Sequence, residues 1–326
     1  MAKPKVAFYW CASCGGCEET VVDLAEDILK VVDAVDIALW PVALDFKLSH
    51  VEAWEPGEVS VAFINGAVRL SEQAEWVRLL REKCPMVVAF GACAHLGGIP
   101  GLANCTTREE ILANKYHRGP TVDNPEGVEP QALSSSHGFD LTLPDFWKDV
   151  KPLDEVIDVD YYLPGCPPPA KNVGEAVNAI LSGDLPPKGS VLAPEKSLCE
   201  ACPLNDTKPE KLTIKEFKRV ATSTPNPEEC FMAQGYICMG PATRAGCGER
   251  CIRANMPCRG CFGPAPGALD IGAKMLSSLG SLGEAETEEA AAAFANAMVD
   301  LTGTFYRFNL PTSLLRRRMG PNEVQA

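Results

Sequence analysis

Cysteine constrains this chain of 326 residues more than any other residue type, because twelve of its 15 cysteines fall into three groups of four. The first group is spread over the first half of the chain and comprises Cys14, Cys17, Cys93 and Cys166. The other two groups are dense and comprise Cys199, Cys202, Cys230, Cys238, Cys247, Cys251, Cys258 and Cys261. A protein in a reducing compartment rarely carries so many thiols in a short segment unless they bind metal.

The remaining composition is typical of a globular protein. Hydrophobic residues make up 46% of the chain and charged residues 22%, enough for one large or two ordinary domains. The formal net charge of −13 argues against nucleic acid or an anionic membrane as the main partner. We expect a cytoplasmic protein, because the N-terminus shows no export signal and no apolar stretch is long enough for an anchor. The basic run 316–318 is expected to be a solvated end.

Short apolar runs alternate with amphipathic segments in the first half, which predicts an α/β fold with a doubly wound parallel sheet. The predicted strands are 6–10, 37–40, 59–64, 86–90 and 156–163. The predicted helices are 18–31, 71–82 with a serine cap, and 170–182. The segment 106–152 is rich in Pro, Gly and Ser and is expected to form long loops.

Three cysteines of the first group each follow the carboxyl end of a predicted strand. Cys14 follows strand 6–10, Cys93 follows strand 86–90, and Cys166 follows strand 156–163. Open parallel sheets form their sites in the crevice beyond those strand ends. The sequence therefore predicts that cysteines far apart along the chain converge at one edge of the sheet.

The composition and the apolar periodicity of the sequence change after residue 185. Two prolines and a glycine in 186–189 indicate a linker, so we expect one domain at 1–185 and a second at 186–326. The second contains a loop-rich segment that cannot bury enough apolar surface alone, and metal clusters would replace the missing core. An amphipathic helix at roughly 284–301 is expected to pack on the main body or on a partner.

The pattern suits iron-sulfur cubanes, which need four thiolates and closely wrapped polypeptide. The glycines near the first group permit that approach; they are Gly15, Gly16, Gly91, Gly97, Gly98 and Gly165. Cys199, Cys202, Cys230 and Cys238 form one further candidate set, and Cys247, Cys251, Cys258 and Cys261 form the other. Cys247 and Cys251 have the spacing of one helical turn. A redox dithiol at Cys14 and Cys17, or a zinc ribbon in the second half, remain alternatives.

Three cysteines lie outside the groups. Cys84 is expected to be a small buried hydrophobe, Cys105 has no evident role, and Cys11 could compete for the first group. His95 could donate to a cluster sulfur, although an ordinary packed histidine is favoured. The chain contains no nucleotide-binding glycine motif and no paired acid and base, which favours electron carriage over bond-making catalysis.

Four motifs in the same order resemble the small subunit of nickel-iron hydrogenases. They are Cys14-Gly-Gly-Cys17, Gly91-Ala-Cys93 with Gly97-Gly98, Pro164-Gly-Cys-Pro-Pro168, and the second cysteine block. The resemblance covers residues 4–265 and implies a flavodoxin-like domain followed by a cluster domain. It implies a proximal cluster on Cys14, Cys17, Cys93 and Cys166, a medial cluster on Cys247, Cys251, Cys258 and Cys261, and a distal cluster on Cys199, Cys202, Cys230 and Cys238.

Two departures from the family pattern bear on the clusters. Many members have a histidine where Cys199 stands, and many hold a medial 3Fe-4S cluster with three cysteines, whereas Cys251 supplies a fourth here. We therefore predict three 4Fe-4S clusters of lowered potential. Gly16 stands where oxygen-tolerant members have an extra cysteine. The resemblance is greatest to the cytoplasmic F420-non-reducing enzymes of methanogens.

The resemblance implies an electron-transfer subunit, with the nickel-iron centre on a separate large subunit. The acceptor would be an iron-sulfur or flavin partner, such as a heterodisulfide reductase complex. A complex I-like quinone oxidoreductase subunit is the first alternative, but such subunits usually lack the second cysteine block. A free-standing iron-sulfur carrier is the second. A non-cysteine proximal ligand such as Asp45 is left open.

Overall fold

A computed structural model describes residues 3–318 of the chain. Its strands are β1 (Lys5–Trp10), β2 (Asp36–Leu39), β3 (Val61–Asn65), β4 (Val68–Leu70), β5 (Met86–Phe90), β6 (Leu133–Ser136), β7 (Phe139–Thr142), β8 (Phe146–Lys151), β9 (Tyr161–Leu163) and β10 (Ser190–Val191). Its helices are α1 (Gly16–Val22), α2 (Asp27–Ala34), α3 (Leu48–Glu52), α4 (Ser71–Lys83), α5 (Ala92–Leu96), α6 (Arg108–Ala113), α7 (Ala170–Ser182), α8 (Leu198–Ala201), α9 (Arg250–Arg253), α10 (Ile271–Leu282), α11 (Glu288–Asn296) and α12 (Leu301–Phe305).

Six parallel strands form the central sheet, in the spatial order β10-β9-β5-β3-β1-β2. Five of them repeat the flavodoxin-like order 2-1-3-4-5, and β10 is added at one edge. Successive residues of β3 face opposite sides, and all five are buried. The predicted doubly wound α/β fold is therefore confirmed.

Each face of the sheet has its own apolar core. Ala62 and Ile64 of β3 pack with residues of α4 on one face. Val61 and Phe63 pack with residues of α1 and α7 on the other. This two-sided burial explains why the strands are nearly continuous apolar runs in the sequence.

A third core lies in the second half of the chain. It joins Leu198 of α8 to Met275 and Leu279 of α10 and to Phe305 of α12. Three cysteines of the dense block are buried in it: Cys230, Cys238 and Cys258. Regular structure is sparse between α8 and α10, so loops supply most of this core.

Several predicted elements differ from the structure. The single helix 18–31 is wrong, because residues 23–26 form a turn between α1 and α2 with Ala25 at φ 51°. The long strand 156–163 reduces to β9. The stretch 106–152 is more ordered than expected, since β4 pairs with β8 and β6 with β7. Predicted helix 284–301 is shortened to α11, and α12 follows separately.

The predicted serine cap of α4 is wrong. Ser71 begins α4 as its first helical residue; the Gln73 side chain accepts hydrogen bonds from the backbone of Arg69 and Leu70. Two residues of the basic run 316–318 form ion pairs with the first half of the chain, Arg316 with Glu155 and Arg318 with Glu110. Within residues 3–318, the helices are all too short or too polar to cross a membrane.

Candidate metal centres

The first cysteine group converges at the carboxyl edge of the sheet. Cys14 follows β1, Cys17 lies on α1, Cys93 lies on α5 directly after β5, and Cys166 follows β9. Burial raises the pKa of Cys17, and the nearby charges of Cys93, Cys166 and Cys14 raise it further. Burial likewise raises the pKa of Cys93 to about 12, with Cys166 and Cys14 among its neighbours. The four predicted residues are therefore brought together.

Two glycines leave room for the sulfurs of this group. A Cβ atom on Gly91 would lie 2.3 Å from Sγ of Cys17, and one on Gly98 would lie 2.4 Å from Sγ of Cys93. Both glycines have a positive φ, at 88° and 57°. Backbone without side chains thus wraps the thiols closely, which is what a buried cluster requires.

A cavity of about 140 Å³ marks the position of the Cys247 group. Its lining includes all four members, Cys247, Cys251, Cys258 and Cys261, together with Cys166 of the first group. Burial raises the pKa of Cys261 to about 12, followed by the charges of Cys251, Cys166 and Cys247. The expected helical turn is only half present, because α9 contains Cys251 but begins after Cys247.

The Cys199 group gathers around α8. Burial raises the pKa of Cys199, and Cys202 and Cys230 add to this while Lys208 opposes it. Cys238 also belongs here, since a Cβ atom on Gly240 would lie 3.3 Å from Sγ of Cys199 and 3.5 Å from Sγ of Cys238. Two thiols of this group therefore lie beside a glycine.

The three groups touch in a definite order. Cys166 of the first group influences the Cys261 thiol both by its charge and by a backbone hydrogen bond. The backbone N–H of Cys258 donates to Sγ of Cys238 at 3.3 Å, which joins the Cys247 group to the Cys199 group. The Cys247 group therefore lies between the other two.

The other candidate residues take different positions. Cys11 and Cys84 are buried, Cys105 is exposed, and Asp45 lies on the surface. The ring of His95 is buried against Tyr162, with the centroids 4.6 Å apart. Burial lowers the pKa of His95 to about 4, and the charge of Arg244 lowers it further. This is a packed neutral imidazole.

The donor set suits iron-sulfur clusters, because each group offers four thiols, most of them buried or partly buried, and glycine lies beside sulfurs of the first and the Cys199 groups. Within residues 3–318, no three or more His, Cys, Asp or Glu side chains are spaced to hold a single metal ion.

One residue of the site was missed by sequence reasoning. Arg259 lines the cavity of the Cys247 group and lies between Cys258 and Cys261 in the chain. An arginine between the two cysteines of a Cys-x-x-Cys motif is the sequence feature that could have identified it.

The chain is similar to known proteins along most of its length. The family model described as NADH ubiquinone oxidoreductase, 20 Kd subunit, matches residues 14–180. The iron-sulfur subunit of the F420-non-reducing hydrogenase of Archaeoglobus profundus is 40% identical over 97% of this chain and 98% of its own length. The corresponding F420-non-reducing hydrogenase protein of Methanothermobacter thermautotrophicus is 37% identical over 96% of each chain.

The fold also recurs in a solved structure. A recombinant [NiFeSe] hydrogenase from Desulfovibrio vulgaris Hildenborough superposes with a TM-score of 0.51 and 18% identity. The match covers 82% of this chain and 95% of that one. At this identity the likeness concerns the fold alone.

A flavodoxin-like sheet with cysteines at its strand ends, followed by a cysteine-rich segment, defines an iron-sulfur electron-transfer subunit of an oxidoreductase. The chain belongs to the nickel-iron hydrogenase small-subunit family, in the branch of the F420-non-reducing hydrogenases. The resemblance predicted from the cysteine motifs is confirmed. The chain is thus a hydrogenase subunit that carries iron-sulfur clusters and works beside a large subunit with the catalytic centre.

Proposed function

We propose that this chain carries electrons from hydrogen oxidation at the large subunit, through three 4Fe-4S clusters, to an iron-sulfur or flavin acceptor such as a heterodisulfide reductase complex. The proximal cluster would be held by Cys14, Cys17, Cys93 and Cys166, the medial cluster by Cys247, Cys251, Cys258 and Cys261, and the distal cluster by Cys199, Cys202, Cys230 and Cys238. Such clusters supply one-electron carriage when bound.

The cavity lined by Cys247, Cys251, Cys258 and Cys261 carries this proposal. Four sulfurs around one space match the four corners of a cubane, and Cys251 is the member that a three-iron cluster would not need. The contact of this group with Cys166 on one side and Cys238 on the other supports a continuous route.

The protein's own part in the route is to bury and space the thiols. Cys238 is fully buried and burial raises its pKa well above the usual value, so a protonated thiol is favoured there until metal binds. Backbone N–H groups, such as that of Cys258 to Cys238, supply hydrogen bonds to the sulfurs. Of the proposed medial ligands, Cys258 is buried and the other three are partly buried.

We also propose that the chain divides into a domain at 1–185 that holds the proximal cluster and a domain at 186–326 that holds the other two. Separate cores support two units, since two cores lie within residues 6–192 and the third within residues 198–310. Strand β10 (Ser190–Val191) pairs with β9, so the sheet extends a few residues past 185.

Iron and acid-labile sulfide analysis of the anaerobically purified complex, corrected for the iron of its other subunits, tests the cluster number. Three cubanes require about twelve iron atoms on this chain. Four or fewer would refute the route.

Replacing one ligand tests the medial assignment. We expect Cys251→Ala to convert the medial cube to a three-iron form, seen as a 3Fe-4S resonance in the oxidised complex. Cys105→Ala is the matched control, because Cys105 is exposed and lies outside the three groups. A Cys251→Ala complex with its full iron and no such resonance would show that Cys251 is not a ligand.

The identity of the acceptor is tested by measuring which partner the complex reduces. The complex should reduce a purified heterodisulfide reductase complex under hydrogen, and reduction of a quinone instead would favour the complex I-like alternative.

A further inference from the structure

The position of Arg259 is set by backbone on both sides. It lies between Cys258 and Gly260, and Gly260 has a φ of 92° that L side chains rarely adopt. The carbonyl of Cys258 accepts from the backbone N–H of Met239 at 3.0 Å, and its own N–H donates to Sγ of Cys238 at 3.3 Å. Arg259 therefore stands where the proposed medial and distal sites meet.

Arg259 lies between two spaces and lines both of them. On one side it lines the cavity of Cys247, Cys251, Cys258 and Cys261. On the other it lines a surface groove of about 170 Å³ whose remaining charged residues are Lys218, Arg219, Asp300 and Arg307. The residue is half-buried. A cation at this position is close to the cluster site and partly screened from water.

The charge of Arg259 has no protein counter-charge at hydrogen-bond distance. Within residues 3–318 it forms neither an ion pair nor a hydrogen bond, and its cationic neighbour is Arg307. The one carboxylate of the groove, Asp300, accepts from the N–H of Gly303 at 2.9 Å as the cap of α12. The thiols of Cys238, Cys251 and Cys258 lie beside Arg259, and they would carry negative charge as thiolates once they ligate a cluster.

A guanidinium held against other cations needs a compensating negative charge. A cubane with four thiolates supplies one, and adding an electron makes it more negative. A nearby fixed cation therefore favours the reduced state and raises the reduction potential. This effect opposes the lowering expected from a fourth thiolate at Cys251.

We propose that Arg259 is the counter-charge of the medial cluster and sets its reduction potential. This proposal rests on the presence of the medial cluster proposed above. The residue acts by its permanent charge and not by binding the metal. It keeps the medial potential from falling so far that the cluster interrupts the route between its two neighbours.

The test is a redox titration of the purified hydrogenase complex, followed by electron paramagnetic resonance. Arg259→Gln should shift the medial potential downward, while Arg259→Lys, which retains the charge, should restore most of it. Lys215→Gln is the control, because Lys215 is an exposed cation of the second half that pairs with Glu284, and neither residue lines either space. It should leave the potential unchanged.

Iron analysis of each variant distinguishes loss of a cluster from loss of the charge of Arg259. A wild-type complex without three clusters would refute the proposed function. An Arg259→Gln complex with full iron and an unchanged medial potential would overturn the role of Arg259 alone. Should Arg259→Gln fail to assemble, Arg307→Gln carries the test: a smaller downward shift is expected, and none would overturn the inference.

Discussion

At the scale of single residues, Asp160 shows how a buried charge can hold the sheet together. Its carboxylate accepts from Arg81 at 2.6 Å, from the backbone N–H of Val87 at 2.8 Å and from Lys188 at 2.5 Å. Burial would raise its pKa, but the hydrogen bonds from Lys188, Arg81 and Val87 outweigh burial and lower it. One side chain thereby ties α4, β5 and the approach to β10 together.

We expect Asp160→Asn to lower the free energy of unfolding by about 2 to 4 kcal/mol at neutral pH, because it removes a charge and leaves two cations with a weaker partner. The folded pKa is depressed, so the stabilisation is present above the unfolded pKa of about 3.9 and is lost as pH falls through the folded value. Urea unfolding at several pH values measures this. Asp158→Asn, on the exposed neighbour, is the control; an equal loss there would contradict the account.

At the scale of elements, α5 and its flanking glycines form the support of the first cysteine group. The backbone N–H of Gly91 donates to Leu163 of β9, and that of Ala92 donates to Gly165. Gly98 donates to the carbonyl of Phe308, near the end of the second half. This short element therefore links Cys93 to the loop of Cys166 and to the second half of the chain.

Gly98→Ala tests the need for bare backbone at this site. The new Cβ would lie 2.4 Å from Sγ and 2.7 Å from Cα of Cys93, so the thiol must move. We expect iron to fall from about twelve to about eight atoms per chain. Gly57→Ala is the control, since Gly57 also has a positive φ but no atom within 4 Å of the added Cβ. Both variants carry the backbone strain of about 1 to 2 kcal/mol, and only Gly98→Ala should lose iron.

At the scale of the whole molecule, the two halves are stabilised differently. The first half has a six-stranded sheet with an apolar core on each face. The second has one core in which cysteines are among the buried residues, and few hydrogen-bonded elements between α8 and α10. Metal binding stabilises the folded state directly, and this matters most where the core buries little apolar surface.

Removal of iron by a chelator should therefore unfold the halves unequally. Amide hydrogen exchange measured by mass spectrometry should increase strongly across residues 199–262, while β3 and β5 retain their protection. The buried strand β3 serves as the internal reference. Equal loss of protection in both regions would mean that the clusters do not stabilise the second half selectively.

The local sequence pattern was sufficient to predict the bounds of an element where its own residues determine where it begins and ends. The limits of β5 and α7 were predicted correctly, because β5 is a compact apolar run and α7 follows three prolines that fix its start. Apolar periodicity continues across residues 23–26, so the break between α1 and α2 was not evident. The short β9 and the β4–β8 pair depend on partners far along the chain, which periodicity cannot reveal.

The sequence alone determined the family and the parallel α/β fold, and it predicted the three cysteine groups, because strand-end position, glycine and thiol spacing are local properties. Only the tertiary structure decided how the groups touch and which charges surround them. Cys238 meets Cys258 through a backbone N–H, and Arg307, in the turn that follows α12, comes beside Arg259. Such contacts join residues through space, and their electrostatic effect depends on burial and distance that no spacing along the chain encodes.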